Sequence, residues 1–150
     1  MRRLAVLVAV VLGRTAHADD VVYVEALGKG GAYGIGYEHT LTGRLSLGIA
    51  ASFVSVSGQQ VYTAAPYLHA TVVGSTHHAL FSELGAVLAH SRIPSPVDDW
   101  DGMTDTGGGG FLSAGYEYRR GHVVLRASGA IVAGEGGLGP MIGLALGVKP

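Results

Sequence analysis

Five charged residues stand out because each is isolated in an otherwise small or apolar run. They are Glu25, Glu38, Glu83, Glu117 and Arg126. A guanidinium can bind one or two carboxylates at once, and an unpaired buried ion costs several kcal/mol. We therefore predict that these charges pair with one another in a narrow interior space and form one polar network together with His69.

The predicted network has two interpretations. It is either a packed cluster that holds the strands in register, or a gate or proton-binding site. Four acids face one central base, which also predicts that at least one glutamate carries a proton through burial and like-charge repulsion.

A second group of acids surrounds a tryptophan in "DDWDGMTD" (98–105). The spacing lacks the alternating acids and the terminal glutamate of a calcium loop. We predict an exposed acidic loop that recognises a partner or recruits divalent cations. Its candidate recognition residues are Asp98, Asp99, Trp100, Asp101 and Asp105.

Other catalytic or metal chemistry finds little support. The histidines lack metal-ligand spacing, so no metal and no cofactor is predicted. His69 with Ser82 or Ser128 is a conceivable hydrolase pair, but no nucleophile motif places these residues together.

The N-terminus predicts an exported protein. Two arginines precede the apolar run "LAVLVAVVLG" (4–13), and small residues end at Ala18. This is the pattern of a secretory signal peptide. We expect cleavage near Ala18, a signal peptide over 1–18 and one domain over 19–150. Without Arg2, Arg3 and Arg14, the 10 basic residues fall to 7 against 11 acidic ones, and a nucleic-acid partner is not expected.

Runs of alternating polarity predict eight strands, at 21–28, 31–41, 44–56, 62–73, 78–90, 110–119, 122–133 and 140–148. An even number suits a closed antiparallel barrel. Short connections at 42–43, 74–77 and 120–121 alternate with longer ones at 28–30, 57–61, 90–109 and 134–139. Short turns at one rim and long loops at the other are typical of outer-membrane barrels.

One face of the strands is apolar and the other is small, polar or charged. Leu47, Leu84 and Leu144 represent the apolar face, and Glu83 and Arg126 represent the polar one. We predict that the apolar face contacts lipid and that the polar face lines the lumen.

The segment "VYVEALGKGGAYGIGYEHTLTGRLSLGIAAS" (22–52) resembles small outer-membrane β-barrel proteins of unknown function. The resemblance continues through 67–89, "GYEYR" (115–119), "LRASG" (125–129) and "GPMIGLALGV" (139–148). It implies an all-β, eight-stranded, up-and-down transmembrane barrel in the outer membrane, without an established enzymatic activity. The chain departs from many such barrels by ending in "GVKP" rather than in an aromatic residue.

The predicted function is therefore a non-enzymatic outer-membrane barrel with a plugged polar lumen and a structural or surface-recognition role. Its expected partners are outer-membrane lipid, lipopolysaccharide and, during insertion, the barrel-assembly machinery. Two alternatives stay open. One is a soluble periplasmic barrel that binds a small apolar ligand, with the two faces swapped. The other is a lipid-modifying outer-membrane enzyme.

Overall fold

A computed structural model describes residues 20–29, 31–94, 102–135 and 137–150. Eight strands form: β1 (Val21–Ala26), β2 (Tyr33–Thr42), β3 (Leu45–Val56), β4 (Gln59–Gly74), β5 (His78–Ile93), β6 (Met103–Arg120), β7 (Val123–Gly134) and β8 (Gly137–Val148). They form a closed antiparallel barrel in chain order, with β1 paired to β8. The predicted eight-stranded barrel is confirmed. Within the described ranges, no helix is long and apolar enough to cross a membrane.

The stagger of the strands closes the barrel. From Val24, the pairing register followed through β2 to β5 arrives at Gly108 on β6. Followed the other way, through β8 and β7, it arrives at Tyr118 of the same strand. The offset is about ten residues, a fixed shear of the kind that barrel closure requires. An eight-stranded barrel has an interior just wide enough for side chains to fill.

The strands differ greatly in length. β4, β5 and β6 have 16, 16 and 18 residues, whereas β1 has 6. Most of the extra length lies at the far end, which carries the connections 27–32, 57–58, 94–102 and 135–136. The opposite end, here the turn-side end, carries the connections 43–44, 75–77 and 121–122. The far rim therefore slopes from a high wall at β4–β6 down to β1.

The predicted long loops are largely wrong, because the strands continue through them. Segment 57–61 is a turn of two residues, Ser57 and Gly58, both with positive φ as a type I′ hairpin needs. The predicted loop 90–109 shrinks to 94–102, since β5 and β6 stay paired up to Ile93 and Met103. Polar residues and glycines indicate that a segment is exposed to solvent, but an exposed segment can still be a strand that pairs with its neighbour.

The two faces lie as predicted. Leu47, Leu84 and Leu144 are 54%, 63% and 59% exposed on the outside, whereas Glu83 and Arg126 are 2% and 6% exposed inside. The swapped-face alternative needed the reverse arrangement and is wrong. A belt of large apolar side chains surrounds the barrel, and its members include Ile49, Leu88, Leu112, Ile131 and Ile142.

Four inward aromatic rings lie opposite glycines. The cross-strand pairs are Tyr23 with Gly36, Tyr67 with Gly48, Phe81 with Gly115, and Phe111 with Gly85. A Cβ added to any of these glycines would overlap the opposite ring. The glycines therefore leave room for the four inward rings.

Candidate lumenal site

Arg126 lies at the centre of the lumen and binds two carboxylates. It projects from β7, and its Nη1 and Nη2 donate to the two oxygens of Glu38 at 2.7 and 3.0 Å. Its Nε donates to Glu117, which also accepts from Arg119. Bidentate pairing of this kind is strong and directional. Arg126 thus links β2, across the barrel, to β6, the strand that forms a hairpin with β7.

Glu83 on β5 is the second centre. It accepts from Lys29 Nζ at 3.0 Å and from Ser113 Oγ at 3.0 Å, and its other oxygen lies 3.3 Å from His69 Nδ1. Lys29 also lies 3.2 Å from Glu25. His69 Nδ1 lies 3.9 Å from Glu38, so the imidazole connects the two centres.

Aromatic rings separate and bridge the ions. Tyr67 donates to Glu38 at 3.1 Å and shares a 2.8 Å hydrogen bond with Tyr23. Lys29 Nζ lies 4.6 Å from the centre of the Tyr67 ring, a cation–π distance. His69 stacks on Phe81 with ring centres 4.9 Å apart. Lys29 and Arg126 therefore each have both carboxylate and aromatic neighbours.

All six residues of the predicted network lie on the inner face and belong to one connected cluster. They are Glu25, Glu38, His69, Glu83, Glu117 and Arg126, each at most 6% exposed. Sequence reasoning missed Lys29, Tyr23 and Tyr67. Tyr23 and Tyr67 stand two residues from Glu25 and His69, so their inward direction was available from the alternation.

Lys29 changes the charge count. It lies in the connection between β1 and β2, where no strand parity applies. Together with the half-exposed Arg119 and with Arg126, it gives three cations against the four acids. The prediction of a protonated glutamate assumed four acids and one base, which is a surplus of three negative charges. With three cations, the surplus is one. That surplus was itself a signal that cations were missing.

The acidic recognition group lies mostly beyond what the structure describes. Asp98, Asp99, Trp100 and Asp101 fall outside the described residues. Asp105 is exposed and lies within β6, paired with Ser91 on β5. Its assignment to a loop is wrong, because the β5–β6 ladder continues past it.

The arrangement gives little support to hydrolytic chemistry. Ser82 lies on the outer face of β5, between the inward Phe81 and Glu83, and donates to the Ser113 carbonyl at 3.0 Å. Among the described residues, the hydrogen bond of His69 is to Glu83 and involves neither Ser82 nor Ser128. A nucleophile activated by His69 is therefore not assembled here.

Three potential metal ligands lie close together. Oxygen or nitrogen atoms of Glu38, His69 and Glu83 fall within 4.8 Å of one another. However, Glu38 already binds Arg126, and Glu83 already binds Lys29. A divalent cation would enter beside two buried positive charges, so this cluster is better suited to internal ion pairs than to a metal.

No protein-family model matches the chain, and no curated protein matches it. Several solved structures match it. The N-terminal β-barrel domain of OprF from Pseudomonas aeruginosa is 24% identical, with a TM-score of 0.56 over 85% of this chain and 96% of that one. Ail, the attachment invasion locus protein of Yersinia pestis, is 12% identical over 85% of this chain and 92% of that one, with a TM-score of 0.50. Its complex with the heparin analogue sucrose octasulfate gives 0.51 at the same identity and coverage. The chain has the closed eight-stranded fold of these outer-membrane barrels.

Proposed function

We propose that this protein is a non-enzymatic barrel of the outer membrane of a Gram-negative cell, with a structural or surface-recognition role. One observation carries the proposal: the molecule has its large apolar side chains outside and its ion pairs inside. A soluble domain that exposed such a belt would aggregate. In a bilayer, the same belt lies in hydrocarbon, and a closed barrel leaves no strand edge to satisfy.

The lumen is plugged in this proposal. Glu38, Glu83 and Glu117 are each at most 2% exposed, and Arg126 and Lys29 bridge them across the interior. Rings of Tyr23 and Tyr67 occupy the space between these ions. The structural or surface-recognition role is therefore assigned to the outer surface and the far rim. The proposed partners are membrane lipid, lipopolysaccharide and the assembly machinery, after removal of the signal peptide near Ala18.

Membrane insertion tests this proposal. The full-length chain would be expressed in a Gram-negative host, and outer membranes would be run on a detergent gel with and without boiling. We expect a band that shifts on heating, as a folded barrel gives. Leu47→Arg and Leu84→Arg should each reduce it strongly, because an arginine facing lipid at mid-membrane costs about 2–4 kcal/mol.

The matched control is Gln59→Arg, which places the same charge on an exposed residue at the tip of the β3–β4 hairpin. This variant should insert like the parent protein. If both leucine variants insert as well as Gln59→Arg, the lipid-facing assignment fails. A soluble periplasmic protein without a heat shift would contradict the membrane location itself.

A further inference from the structure

The first six residues of β6 pair with a neighbouring strand on one side only. Residues 103–108 pair with β5, as far as Met103 with Ile93. The pairing of β6 with β7 ends at Gly109 and Gly134. Within the described ranges, no strand lies beside residues 103–108 on the β7 side, and five of the six residues are exposed. We call this segment the β6 edge.

The open side of the β6 edge presents unpaired backbone groups. In an antiparallel ladder, successive residues direct their N–H and C=O groups alternately to one neighbouring strand and to the other, so about three of the six residues direct both groups to the open side. A row of this kind is a template for pairing with another chain. Gly107 and Gly108 have no side chain that would obstruct an approaching backbone.

The β6 edge lies beyond the apolar belt in the proposed membrane location. Tyr118 lies at the turn-side end of β6, with its ring centre 5.2 Å from that of His78, and aromatic rings gather at membrane interfaces. Gly108 lies 10 residues further along the strand. At about 3.3 Å per residue and a tilt of about 40°, this distance spans about 25 Å, which is the height of the apolar band in such barrels. Residues 103–107 therefore extend into water.

The other open strand edges of the described far rim are obstructed. β3 continues beyond its last pair with β2, but Gly31 lies beside it, where an added Cβ would come within 3.6 Å of Ser52 Oγ. β8 continues beyond its last pair with β1, Leu144 with Ala26, and contains Pro140, which has no N–H to donate. The β6 edge contains no proline. It is therefore the edge best suited to an added strand.

Two acidic residues flank the open side of the β6 edge. Asp105 lies within the edge, and Glu135 follows Gly134, the last β7 residue that pairs with β6. Both acids are exposed, and among the described residues neither forms an ion pair. Arg92 on β5 pairs with Thr104 and so lies on the opposite face of the sheet from Asp105. These charges favour a positively charged partner.

We propose that the β6 edge binds an extended, positively charged polypeptide segment, which adds as an antiparallel strand beside β6, beyond the end of β7. This inference rests on the proposed surface-recognition role and names the kind of partner. Backbone hydrogen bonds hold an added strand, and its side chains determine selectivity. Here, basic side chains of the added strand lie close to Asp105 and Glu135.

A peptide titration of the folded full-length protein tests the edge. The ¹⁵N-labelled barrel would be held in an uncharged alkyl-glucoside detergent and titrated with a capped octapeptide of alternating valine and lysine. In the free protein, we expect about three of the six amides of residues 103–108 to exchange freely with deuterium. The peptide should shift these amides saturably and protect them from exchange. If all six are already protected in the free protein, the edge is not open and the proposal fails.

The control probe is the same peptide with N-methyl groups on its fourth and fifth residues. These groups remove a backbone donor from each side of the added strand and leave its charge unchanged, so binding should be lost. An N-methylated peptide that binds as tightly as the parent peptide would show that charge alone attracts it, which overturns strand addition.

Asp105→Asn should weaken peptide binding about two- to fivefold, the effect of one exposed ion pair. The matched control is Gln59→Lys, which changes the net charge by the same one unit at the tip of the β3–β4 hairpin and should bind nearly like the parent. Glu135→Gln replaces Asp105→Asn if the latter fails to fold. Equal weakening by Gln59→Lys would contradict recognition at the β6 edge.

The heat-shift gel and the peptide titration fail separately. A heat-shifted band from outer membranes, together with no saturable response to the peptide, would leave the membrane barrel in place and overturn the β6 edge as a binding site. A saturable response from a protein that is absent from outer membranes would support the edge and contradict the membrane location.

Discussion

Tyr67 shows how a single residue depends on the one across from it. Its ring lies over Gly48 on β3, its hydroxyl donates to Glu38, and Lys29 lies above its face. The absence of a side chain at position 48 is therefore what allows the ring to reach the ion network. A glycine costs strand stability in general, but here it makes space for an aromatic residue in a narrow lumen.

Gly48→Val should destabilise the barrel by about 1–3 kcal/mol, the usual cost of overpacking. The added side chain would overlap the Tyr67 ring and displace its hydroxyl from Glu38. Unfolding in urea, monitored by the loss of the heat-shifted gel band, measures the change in stability.

The matched control is Gly129→Val on β7, where an added Cβ meets nothing within 4 Å. This variant should unfold at nearly the parent urea concentration. An equal loss of stability in both variants would mean that the lower strand stability comes from strand propensity and not from the Tyr67 contact.

Among the elements, the β1–β2 connection does the most to complete the network. β1 ends at Ala26, and Leu27 takes a positive φ of 59° while its N–H bonds to the Ala32 carbonyl. This bend turns the segment inward, so that Gly28 and Lys29 are buried. A transmembrane strand needs about 9–11 residues, and the 6 of β1 fall short. The segment that follows β1 turns into the lumen instead, where Lys29 contacts Glu25 and Glu83.

Lys29→Met should destabilise the barrel by about 3–5 kcal/mol, because it leaves Glu25 and Glu83 buried with one partner fewer. The urea midpoint of the folded protein is the measurement. The double variant Lys29→Met with Glu25→Gln should recover part of the loss, since it removes one of the two charges with which Lys29 pairs. A double variant that is less stable than the single would show that Lys29 acts through packing alone.

The limits of prediction are also clearest at this scale. Alternation of polarity placed Glu25 and Arg126 inside and Leu84 outside, because strand parity is a local property of the sequence. It could not place Lys29, whose direction depends on a bend that tertiary contacts stabilise. It also ended β5 too early and began β6 too late, at 90 and 110 where the strands reach Ile93 and Met103. Polar residues such as Asp105 pair there because the neighbouring strand continues, which is information held by another part of the chain.

At the scale of the whole molecule, the prediction concerns the proposed plugging of the lumen by the ion network and the aromatic rings. Ion pairs of Glu38, Glu83 and Arg126 connect opposite sides of the barrel, and a cavity of about 90 Å³ lies at the turn-side mouth. In planar lipid bilayers, we expect the parent protein to give no steady conductance. Tyr23→Ala with Tyr67→Ala should open a measurable conductance, because it removes two rings from the narrow lumen.

The control is Leu84→Ala with Leu112→Ala, which removes a similar volume from the outer face and should stay silent. Steady conductance by the parent protein would contradict a plugged lumen.

The high wall at the far rim has a thermodynamic consequence for any partner that binds there. Fixing the backbone of a flexible residue costs about 1–2 kcal/mol in conformational entropy. β5 and β6 are paired as far as Ile93 and Met103. Their backbone is therefore already ordered in the folded protein, and a partner need not order it. A partner docking on this wall would order side chains alone, at about 0.5–1.5 kcal/mol each. A binding surface built from a paired ladder is thus already organised before the partner arrives.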